Sequence, residues 1–432
     1  MSTVVACSTP FGFSGIAIVR LTGSKAHTSV VSFIKNPPKK IKHNSPSVFK
    51  LIDTDGKIYD EAVINFMCAP KTYTGEDMVE INLHGNPTIV QKTVELACLY
   101  GASIAEGGDF TKRSFLSGKI DISQAESVAS LINSKSLDGA KLSYKNLGGD
   151  LFKKVSRIKK DIVSVIGSIE FNLDISEESL QPTLFSDSIK SVSGCIDTLN
   201  SAVKSAKSVD ILTSGAKVVI GGPVNAGKST LFNTLLEKEK AIVSHIKGTT
   251  RDVIENTLNI NGIPVVLMDT AGLRKTKNII EKIGVSKSKN EINDADLVLF
   301  LGEPGSVEKE KSGRVIYIFN KNDIKTSDKK YDVSISALKK NNIKLLKKLI
   351  SERLSTNIST SNFIITSQRQ LLCFKSAVNH LLKAKKILKT SSDLELAVED
   401  LSASLSSLDL ITEKTTRDDI LNTVFSSFCV GK

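Results

Sequence analysis

The octapeptide GPVNAGKS, Gly222 to Ser229, has the residue types and the spacing of a phosphate-binding loop. It follows an apolar strand-like segment, Lys217 to Ile220, and it precedes an apolar helical run, which is the context that gives this motif meaning. The glycines let backbone N–H groups point at phosphate oxygens, Lys228 can reach the β- and γ-phosphates, and the Ser229 hydroxyl can ligate Mg²⁺. The loop therefore predicts binding of a nucleoside triphosphate.

Three short segments downstream predict that the base is guanine. DTAG, Asp269 to Gly272, ends the strand-like PVVLM and places an acid near the metal and a glycine N–H near the γ-phosphate. NKND, Asn320 to Asp323, ends VIYIF, and SAL, Ser336 to Leu338, ends another such segment. Asp323 can accept from the N1–H and the exocyclic amine of guanine, whereas adenine would leave its carboxylate unpaired. We therefore expect GTP and not ATP.

A switch segment and a catalytic carboxylate complete the predicted nucleotide site. GTTRD, Gly248 to Asp252, lies between the phosphate loop and DTAG, where a switch belongs, and Thr250 is the predicted second protein ligand of Mg²⁺. Ras-like proteins orient the attacking water with a Gln after the glycine of the DxxG element, but here that residue is Leu273. A carboxylate farther along the chain could take this task, and Glu281 in IIEKIG is the candidate.

The elements that would position these motifs alternate strand and helix from about Ser214 to Arg353, which indicates an α/β domain. Apolar residues at helical spacing lie on both sides of it, at Phe152, Val155, Ile158, Ile162, Val165, Ile169, Ile189, Val192, Ile196, Leu199, Val203, Leu371, Phe374, Val378, Leu381, Leu388, Leu394, Val398, Leu401, Leu405 and Leu408. We therefore expect one helical domain that contains the α/β domain as an insertion. The alternative, four consecutive domains, requires each short helical block to bury its stripe alone.

The N-terminal part mixes short strands, such as Gly15 to Leu21 and Met78 to Gly85, with a helical stretch near Thr88 to Leu99, which predicts an α+β domain. The predicted fold class is thus multidomain α/β. Its predicted segments are residues 1–118 (α+β), 119–212 (first helical part), 213–355 (inserted P-loop GTPase domain) and 356–432 (second helical part).

The composition of the 432 residues, 40% hydrophobic and 24% charged, is ordinary for a globular protein of several domains. No run of about 18 apolar residues and no secretory signal occurs, so we expect a cytoplasmic protein without a membrane partner. The six cysteines have neither CxxC nor metal-ligand spacing; we expect them reduced and, Cys429 apart, in the core. A net charge of +12 is consistent with binding of RNA, but a uniform excess of Lys can also reflect only a solvated protein surface.

The segment FSSFCVGK, Phe425 to Lys432, places a cysteine at the fourth position from the end of the sequence. A C-a-a-X lipid anchor is disfavoured because Gly431 is not aliphatic and Lys432 is unusual at the last position. A disordered tail is the simplest alternative, but disordered segments contain few aromatic residues, and here two phenylalanines lie beside the thiol.

The whole chain resembles the MnmE (TrmE) family of tRNA modification GTPases. The resemblance is carried by TPFGFSGIAIVR (Thr9 to Arg20), YTGEDMVEINLHG (Tyr73 to Gly85), GGDFTKRSFLSGKIDISQAE (Gly107 to Glu126), the GTPase elements with GTTRD, and the terminal FSSFCVGK. It implies an N-terminal tetrahydrofolate-binding and dimerisation domain, a helical domain, and a GTPase domain inserted into the helical one.

The resemblance also implies ligands. A 5-formyl- or 5,10-methylene-tetrahydrofolate would bind between the N-terminal domains of a homodimer, at Arg20, Glu80, Lys119 and Lys432. A cation beside the folate glutamate tail and a carboxylate beside the pterin amide are chemically sensible. The tail would bring Cys429 to this pocket, where it would act as a nucleophile or as an acid–base partner, the first of which needs a low thiol pKa.

In the GTPase domain the family uses K⁺ in place of an arginine finger, because the ion supplies positive charge where the transition state gathers negative charge. The matching ligands are Asn225, Ser244, Ile246 and Thr249, and the family's water-orienting glutamate matches Glu281. The predicted GTP contacts are Asn225, Ala226, Gly227, Lys228, Ser229, Thr230, Ser244, Thr249, Thr250, Asp269, Thr270, Ala271, Gly272, Asn320, Lys321, Asp323, Ser336, Ala337 and Leu338.

The implied reaction is addition of a carboxymethylaminomethyl group to carbon 5 of the wobble uridine of certain tRNAs. It would be performed in a heterotetramer-type complex with the FAD-binding protein MnmG, while GTP hydrolysis drives G-domain dimerisation and rearrangement. This chain departs from the family at Lys247 in the potassium loop, at Pro223 in the phosphate loop, and in the short link between DLVLFLG and RVIYIFNK. The rival interpretation is an Era-type ribosome-assembly GTPase without modification activity; a family member that has lost modification stays open as well.

Overall fold

The computed structural model describes residues 2–174, 185–236, 256–269, 295–303, 313–327, 329–355, 363–390, 393–412, 421, 424–425 and 428–432. The chain divides into two compact units. The first unit is built from residues of Met1–Ala129 and Thr412–Lys432, and the second from residues of Ser130–Ser244 and Asp252–Ile411.

The first unit contains a mixed six-stranded sheet. Its strands are β1 Val4–Cys7, β2 Ser14–Thr22, β3 Ser47–Ile52, β4 Ile58–Met67, β5 Met78–Gly85 and β6 Ser103–Ile104. They lie in the order β3-β4-β5-β2-β1-β6, and of these pairs β1–β6 is parallel and the rest are antiparallel. In β4 the even-numbered Ala62, Ile64 and Phe66 are buried while Glu61 and Val63 are exposed, which is the two-residue period of a sheet with one covered face. The strands expected at Gly15 to Leu21 and at Met78 to Gly85 are β2 and β5.

Four helices begin in the N-terminal part of the chain: α1 Ala26–Val31, α2 Pro87–Leu99, α3 Asp109–Leu116 and α4 Ile122–Asn133. Helix α2 begins where the sequence allows it, because the Asn86 side chain accepts a hydrogen bond from the Thr88 N–H and Pro87 needs no donor at the first helical position. Strand β1 is buried on both faces: Val5 belongs to the larger core, whereas Val4 and Ala6 pack with Phe110 of α3.

The second unit contains seven helices within the described residues: α5 Leu137–Leu147, α6 Asp150–Asp174, α7 Ser186–Ser214, α8 Lys228–Leu236, α9 Ile343–Ser355, α10 Gln368–Thr390 and α11 Leu394–Thr412. Residues of α6, α7, α10 and α11 share one hydrophobic core. The expected stripes are confirmed apart from Phe152, which is 38% exposed. Leu151, four residues before Val155, takes its place at 1% exposure, since the stripe continues towards the helix start at that position.

A second six-stranded sheet lies, in chain order, between α7 and α10. Its strands are β7 Ala216–Gly221, β8 Asn256–Ile260, β9 Ile263–Asp269, β10 Leu297–Phe300, β11 Val315–Phe319 and β12 Val333–Ser334. The order is β12-β11-β10-β7-β9-β8, with only β8 antiparallel to its neighbour. Because parallel strands end at one edge, the ends of β7, β9, β11 and β12 lie there, and the described segments that follow β7, β11 and β12 meet at this edge.

The expectation that five cysteines lie in the core is confirmed for Cys195, which is buried. Cys7, Cys98 and Cys373 are half-buried and pack against a hydrophobic core, and Cys68 is half-buried. Cys195 lies on the inner face of α7, and burial raises the pKa of its thiol to about 11. Among the helices that the structure describes, none has the length and apolar character needed to cross a membrane.

Candidate functional site

The phosphate loop connects β7 to α8, and two of its glycines are required by its geometry. Gly222 has φ 135° and Gly227 has φ 92°, values that L side chains rarely adopt. A Cβ on Gly222 would lie 2.6 Å from the Leu301 carbonyl oxygen, and one on Gly227 would collide with the side-chain amide of Asn320. The loop therefore keeps its shape only with glycine at both positions.

The lysine of the loop lies over the loop's first turn. The Lys228 ammonium donates to the carbonyl oxygens of Gly222 at 2.9 Å and Pro223 at 2.7 Å. Lys228 is also the first residue of α8, and the exposed Ser229 and Thr230 follow it. An ammonium group, the first N–H groups of a helix and a hydroxyl thus lie at one helix N-terminus, which is suited to phosphate and to a hard metal ion.

Asn320 joins the phosphate loop to the SAL segment. Its Nδ2 donates to the Ala226 carbonyl oxygen at 2.9 Å, and its Oδ1 accepts from the Ala337 N–H at 3.0 Å. The next residue, Lys321, has φ 68° and donates through Nζ to the Asn225 carbonyl oxygen at 3.0 Å. Two side chains of NKND therefore hold the loop from the side of β11.

The SAL segment is fixed from the opposite direction. Thr234 of α8 donates its hydroxyl to the Ala337 carbonyl oxygen at 2.9 Å. Ser336 and Ala337 are buried, whereas Leu338 is 71% exposed and Asp323 is exposed. The carboxylate of Asp323, which the sequence predicts to read the base, is therefore accessible to a ligand, while the buried Ser336 and Ala337 lie in the neighbouring SAL segment.

Several predicted residues lie outside the described part of the chain: Ser244, Ile246, Thr249, Thr250, Thr270, Ala271, Gly272 and Glu281. The departure at Lys247 and most of the short link before β11 lie outside it too. Of Asp269 only the backbone is described; it ends β9 opposite Ile220 of β7, which is two residues before the phosphate loop begins.

A second cluster lies in the first unit, where β2 and β5 place Arg20 directly opposite Glu80. Arg20 donates to Glu80 Oε1 through Nε at 2.9 Å and through Nη2 at 2.6 Å, and its guanidinium lies 5.7 Å from the Phe110 ring centroid. Both Arg20 bonds end on the same carboxylate oxygen, so Glu80 Oε2 has no hydrogen-bond donor within the described residues. That oxygen can accept from a ligand.

The C-terminal residues reach this cluster. Gly431 accepts through its carbonyl oxygen from Arg20 Nη1 and from the Ser8 hydroxyl, each at 3.1 Å. Val430 forms a β-bridge with Gly107, and the Phe110 N–H donates to the Lys432 carbonyl oxygen. Gly431 has φ 90°, and a Cβ there would lie 2.8 Å from the Ser8 Cα, so this close approach requires glycine. Residues 428–432 therefore pack against the N-terminal part of the first unit and do not form a frayed tail.

Two ionisable groups report the environment of the cluster. Burial, helped by repulsion from Arg20 and opposed by Glu80, lowers the pKa of the Lys432 ammonium from its ordinary value. Burial raises the pKa of Tyr73, although its hydrogen bond with Thr111 and the charge of Arg20 oppose the shift. The cluster is therefore partly withdrawn from water. The attraction between its positive side chains and a bound anionic group would be stronger there than in bulk water.

Among the described residues, neither the Cys429 thiol nor the Lys119 ammonium makes a hydrogen bond or ion pair with Arg20 or Glu80. Cys429 is exposed, and its carbonyl oxygen accepts from the Lys432 N–H at 3.4 Å. Lys119 lies against the YTGED turn, with its Cε 3.3 Å from where a Cβ on Gly75 would be, and no hydrogen bond or ion pair joins its ammonium to another described residue. Arg20, Glu80 and Lys432 are thus brought together, with the thiol on the same short segment.

Sequence reasoning missed a second ion pair in this unit. Arg113 of α3 donates to Glu76 Oε2 at 2.7 Å and to the Ser2 carbonyl oxygen at 2.7 Å, and it is 7% exposed. Glu76 belongs to YTGED and Arg113 to GGDFTKRSFLSGK, so both marker segments are held together by this pair. The signal available in the sequence was an acid and a base inside two family markers.

Comparison with known proteins gives consistent matches over the whole chain. Residues 3–119 match the family model for the GTP-binding protein TrmE N-terminus, and residues 122–429 match that for the MnmE helical domain. The tRNA modification GTPase MnmE of Aquifex aeolicus is 39% identical over 99% of this chain and 99% of its own length.

Further relatives carry the same name. Those of Carboxydothermus hydrogenoformans and Thermotoga maritima are each 36% identical over 100% of this chain and over 99% and 100% of their own lengths. A solved GTP-binding protein from Sulfolobus solfataricus in complex with GDP, 16% identical over 46% of this chain and 67% of its own, has a TM-score of 0.22 and supports no argument.

Proposed function

Because this chain belongs to the MnmE family of tRNA modification GTPases, we propose that it hydrolyses GTP in the service of tRNA modification. The finer proposal is that, with MnmG, it adds a carboxymethylaminomethyl group to C5 of the wobble uridine and draws the one-carbon unit from a tetrahydrofolate. The observation that carries the proposal is the clasp of Asn320, which ties the phosphate loop to the guanine-reading SAL segment.

Guanine nucleotide and Mg²⁺ fit the residues present. Gly222 and Gly227 leave open the space that a Cβ would fill, and the Lys228 ammonium lies over the loop's first turn, where a phosphate oxygen can compete for it. Ser229 with Thr250 would hold Mg²⁺, and the ion would neutralise charge on the β- and γ-phosphates. Lys228 would stabilise the same charge, and Glu281 would orient the attacking water.

We propose the potassium site on Asn225, Ser244, Ile246 and Thr249. Asn225 supports this assignment because its φ of 63° puts a non-glycine residue in the left-handed region, which turns its backbone at the outer edge of the loop. Bound there, K⁺ would add positive charge beside the phosphates and would order the switch. The two G domains of a homodimer would then meet across the nucleotides.

The cluster around Arg20 fits a reduced folate in its donor set. Glu80 Oε2 can accept from the pterin amide N–H and amine, because Arg20 occupies only Oε1. Lys432 and Lys119 supply cations for the glutamate tail of the folate, and Cys429 would serve the modification chemistry from the segment that Arg20 holds through Gly431. The folate would carry the one-carbon unit.

We propose that residues 213–355 form a GTPase domain inserted into a helical domain, with residues 1–118 as the folate-binding domain. The support is that α6 and α7, before the second sheet, share one core with α10 and α11, after it. Movement of the inserted domain on hydrolysis can therefore act on helices at both of its ends. The complex with MnmG would be of the heterotetramer type.

Nucleoside mass spectrometry on tRNA reconstituted with MnmG, GTP, a reduced folate and K⁺ tests the proposal. We expect the modified wobble uridine with the wild-type chain and its loss with Cys429→Ser, while Cys68→Ser, which changes a half-buried thiol of the same chain, retains it. GTP hydrolysis with unchanged uridine would instead support an Era-type switch or a family member that has lost modification. Equal hydrolysis in Na⁺ and K⁺ would refute the potassium site.

A further inference from the structure

Positive charge is concentrated in one short part of the chain. Residues 321–355 contain ten Lys and Arg against four Asp and Glu, a net charge of +6, which is half of the +12 carried by all 432 residues. A uniform excess of Lys would place about one-twelfth of the net charge in a segment of this length. The lysine excess is therefore local, and it calls for a local explanation.

Part of this charge lines a cleft beside β12, the edge strand of the second sheet. The cleft has a volume of about 400 Å³, and its walls include Lys325, Lys329, Lys330, Tyr331, Asn322 and Ser334. We call it the basic cleft. Its volume lies in the range of ordinary ligand sites, and its three lysines are exposed.

Among the described residues, an acidic side chain pairs with one of these three lysines. Glu303 pairs with Lys329 at 2.6 Å, but both side chains are more than half exposed, so the pair contributes little and can exchange for another anion. Lys325 and Lys330 have no ion pair with any described residue. As far as the described residues go, at least two ammonium groups of the basic cleft are therefore available to an incoming anion.

The basic cleft also offers groups that recognise a nucleoside. Tyr331 is half-buried against Phe319, with ring centroids 5.3 Å apart, so its ring is held in place at the wall. Asn322 Oδ1 is buried and has no hydrogen-bond partner among the described residues. Ammonium groups for phosphates, an ordered ring for a base and an amide oxygen for an N–H are together the chemistry of a single-stranded nucleic-acid site.

Helix α9 extends this charge beyond the basic cleft. Asn342, the residue before α9, donates to the carbonyl oxygen of Ser334 at 2.8 Å, so the helix begins at the wall of the cleft. Leu346 and Ile350 face the core, while Lys344 and Lys348 are exposed. A backbone that leaves the cleft along α9 would meet further lysines at one-turn spacing.

We propose that the basic cleft, continued by Lys344 and Lys348, binds the sugar–phosphate backbone of RNA, with tRNA as the substrate. This inference rests on the proposed role in tRNA modification and adds the surface of the G domain that would contact the RNA. The cleft reads no sequence through these lysines, because phosphate contacts position a nucleic acid without specifying it.

The test is the salt dependence of tRNA binding, measured by fluorescence anisotropy with bulk tRNA at a series of KCl concentrations. Lys325→Gln, Lys329→Gln and Lys330→Gln are combined in one variant. The matched control combines Lys39→Gln, Lys40→Gln and Lys42→Gln, which removes the same charge from three exposed lysines of the first unit. GTP affinity and turnover, measured on both variants, establish that each is folded.

We expect the cleft variant to bind tRNA at least tenfold more weakly and to lose about 2 to 3 from the slope of log K against log salt. When salt rises from about 50 to about 200 mM, three phosphate contacts are expected to weaken tRNA binding by about 40-fold. The cleft variant should lack this part of the salt dependence. The control should keep both affinity and slope.

Each other outcome overturns the inference in a recognisable way. Equal losses in both variants would mean that net charge matters and the cleft does not. Unchanged tRNA binding with loss of the MnmG complex would make the cleft a protein-binding surface. If the cleft variant binds tRNA as the wild-type chain does while wobble uridine is modified, only the cleft assignment fails. Absence of tRNA binding by the wild-type chain would count against the proposed function as well.

Discussion

Replacing Asn320 with alanine should weaken guanine nucleotide binding by loosening the loop that it holds. The side chain makes two hydrogen bonds, to the Ala226 carbonyl oxygen and from the Ala337 N–H. Ala337 is 1% exposed, so its N–H would be left without a partner, whereas the half-buried Ala226 can recover a bond to water. An unsatisfied buried group costs about 1–3 kcal/mol and a lost neutral bond about 1 kcal/mol, which together give about 2–4 kcal/mol.

This free energy divides between the stability of the G domain and its affinity for GTP. If it appeared entirely in binding, the Kd would rise about 30- to 700-fold, because each 1.4 kcal/mol is a factor of about ten. We expect at least a tenfold rise in the Kd of a fluorescent GTP analogue, together with a lower urea midpoint of unfolding.

The matched control is Asn322→Ala, which removes the same amide two residues along the same segment. Because Asn322 Oδ1 has no hydrogen-bond partner among the described residues, its loss should leave GTP affinity within about twofold. Wild-type values of both the Kd and the urea midpoint in Asn320→Ala, or equal losses of affinity in the two variants, would show that Asn320 does not hold the loop.

Three further outcomes follow from the site and its surroundings. Glu281→Ala should keep GTP affinity and lose about 100-fold or more in turnover, measured in single-turnover assays; retained turnover would exclude Glu281 as the residue that orients water. Glu80→Gln keeps an acceptor for Arg20 but removes the charge, so the Kd of 5-formyl-tetrahydrofolate by calorimetry should rise about 10- to 100-fold, and an unchanged Kd would remove Glu80 from the site. Burial raises the pKa of Tyr59 from 10.0 to about 12, so the folded state keeps a proton that the unfolded chain releases; its contribution to stability is complete below pH 10 and is lost as the pH rises towards 12. Tyr59→Phe should therefore flatten the fall in Tm across that window, and parallel curves for both proteins would contradict the pKa shift.

The parts of the fold that depend on local patterns could be predicted from the sequence. The stripe Val155, Ile158, Ile162 and Val165 repeats at helical spacing, and it is buried because a long helix exposes one side to a shared core. The prediction that Phe152 is buried was wrong, because hydrophobicity alone does not decide which of two adjacent apolar residues faces the core at a helix start. Leu151 is the residue that continues the stripe.

The parts that depend on distant contacts could not be predicted from residue patterns. Arg20 and Gly431 are 411 positions apart, and nothing in the composition of either segment indicates that a guanidinium meets that carbonyl oxygen. Asn320 was predicted to read the base, but its part as a clasp between two loops follows only from strand order in a parallel sheet. The charge of residues 321–355 was visible in the sequence, whereas the cleft that gathers it depends on how the chain turns between β11 and β12.

Two adjacent residues of NKND, Lys321 and Asn322, contact different surfaces of the second unit. Lys321 donates to the phosphate loop at Asn225, while Asn322 lines the basic cleft. One peptide unit therefore separates the predicted nucleotide site from the proposed RNA surface, and a shift of this backbone would change both. By thermodynamic linkage, the factor by which bound GTP changes the affinity for RNA must equal the factor by which bound RNA changes the affinity for GTP. Such a segment would let the nucleotide state time the release of the modified tRNA.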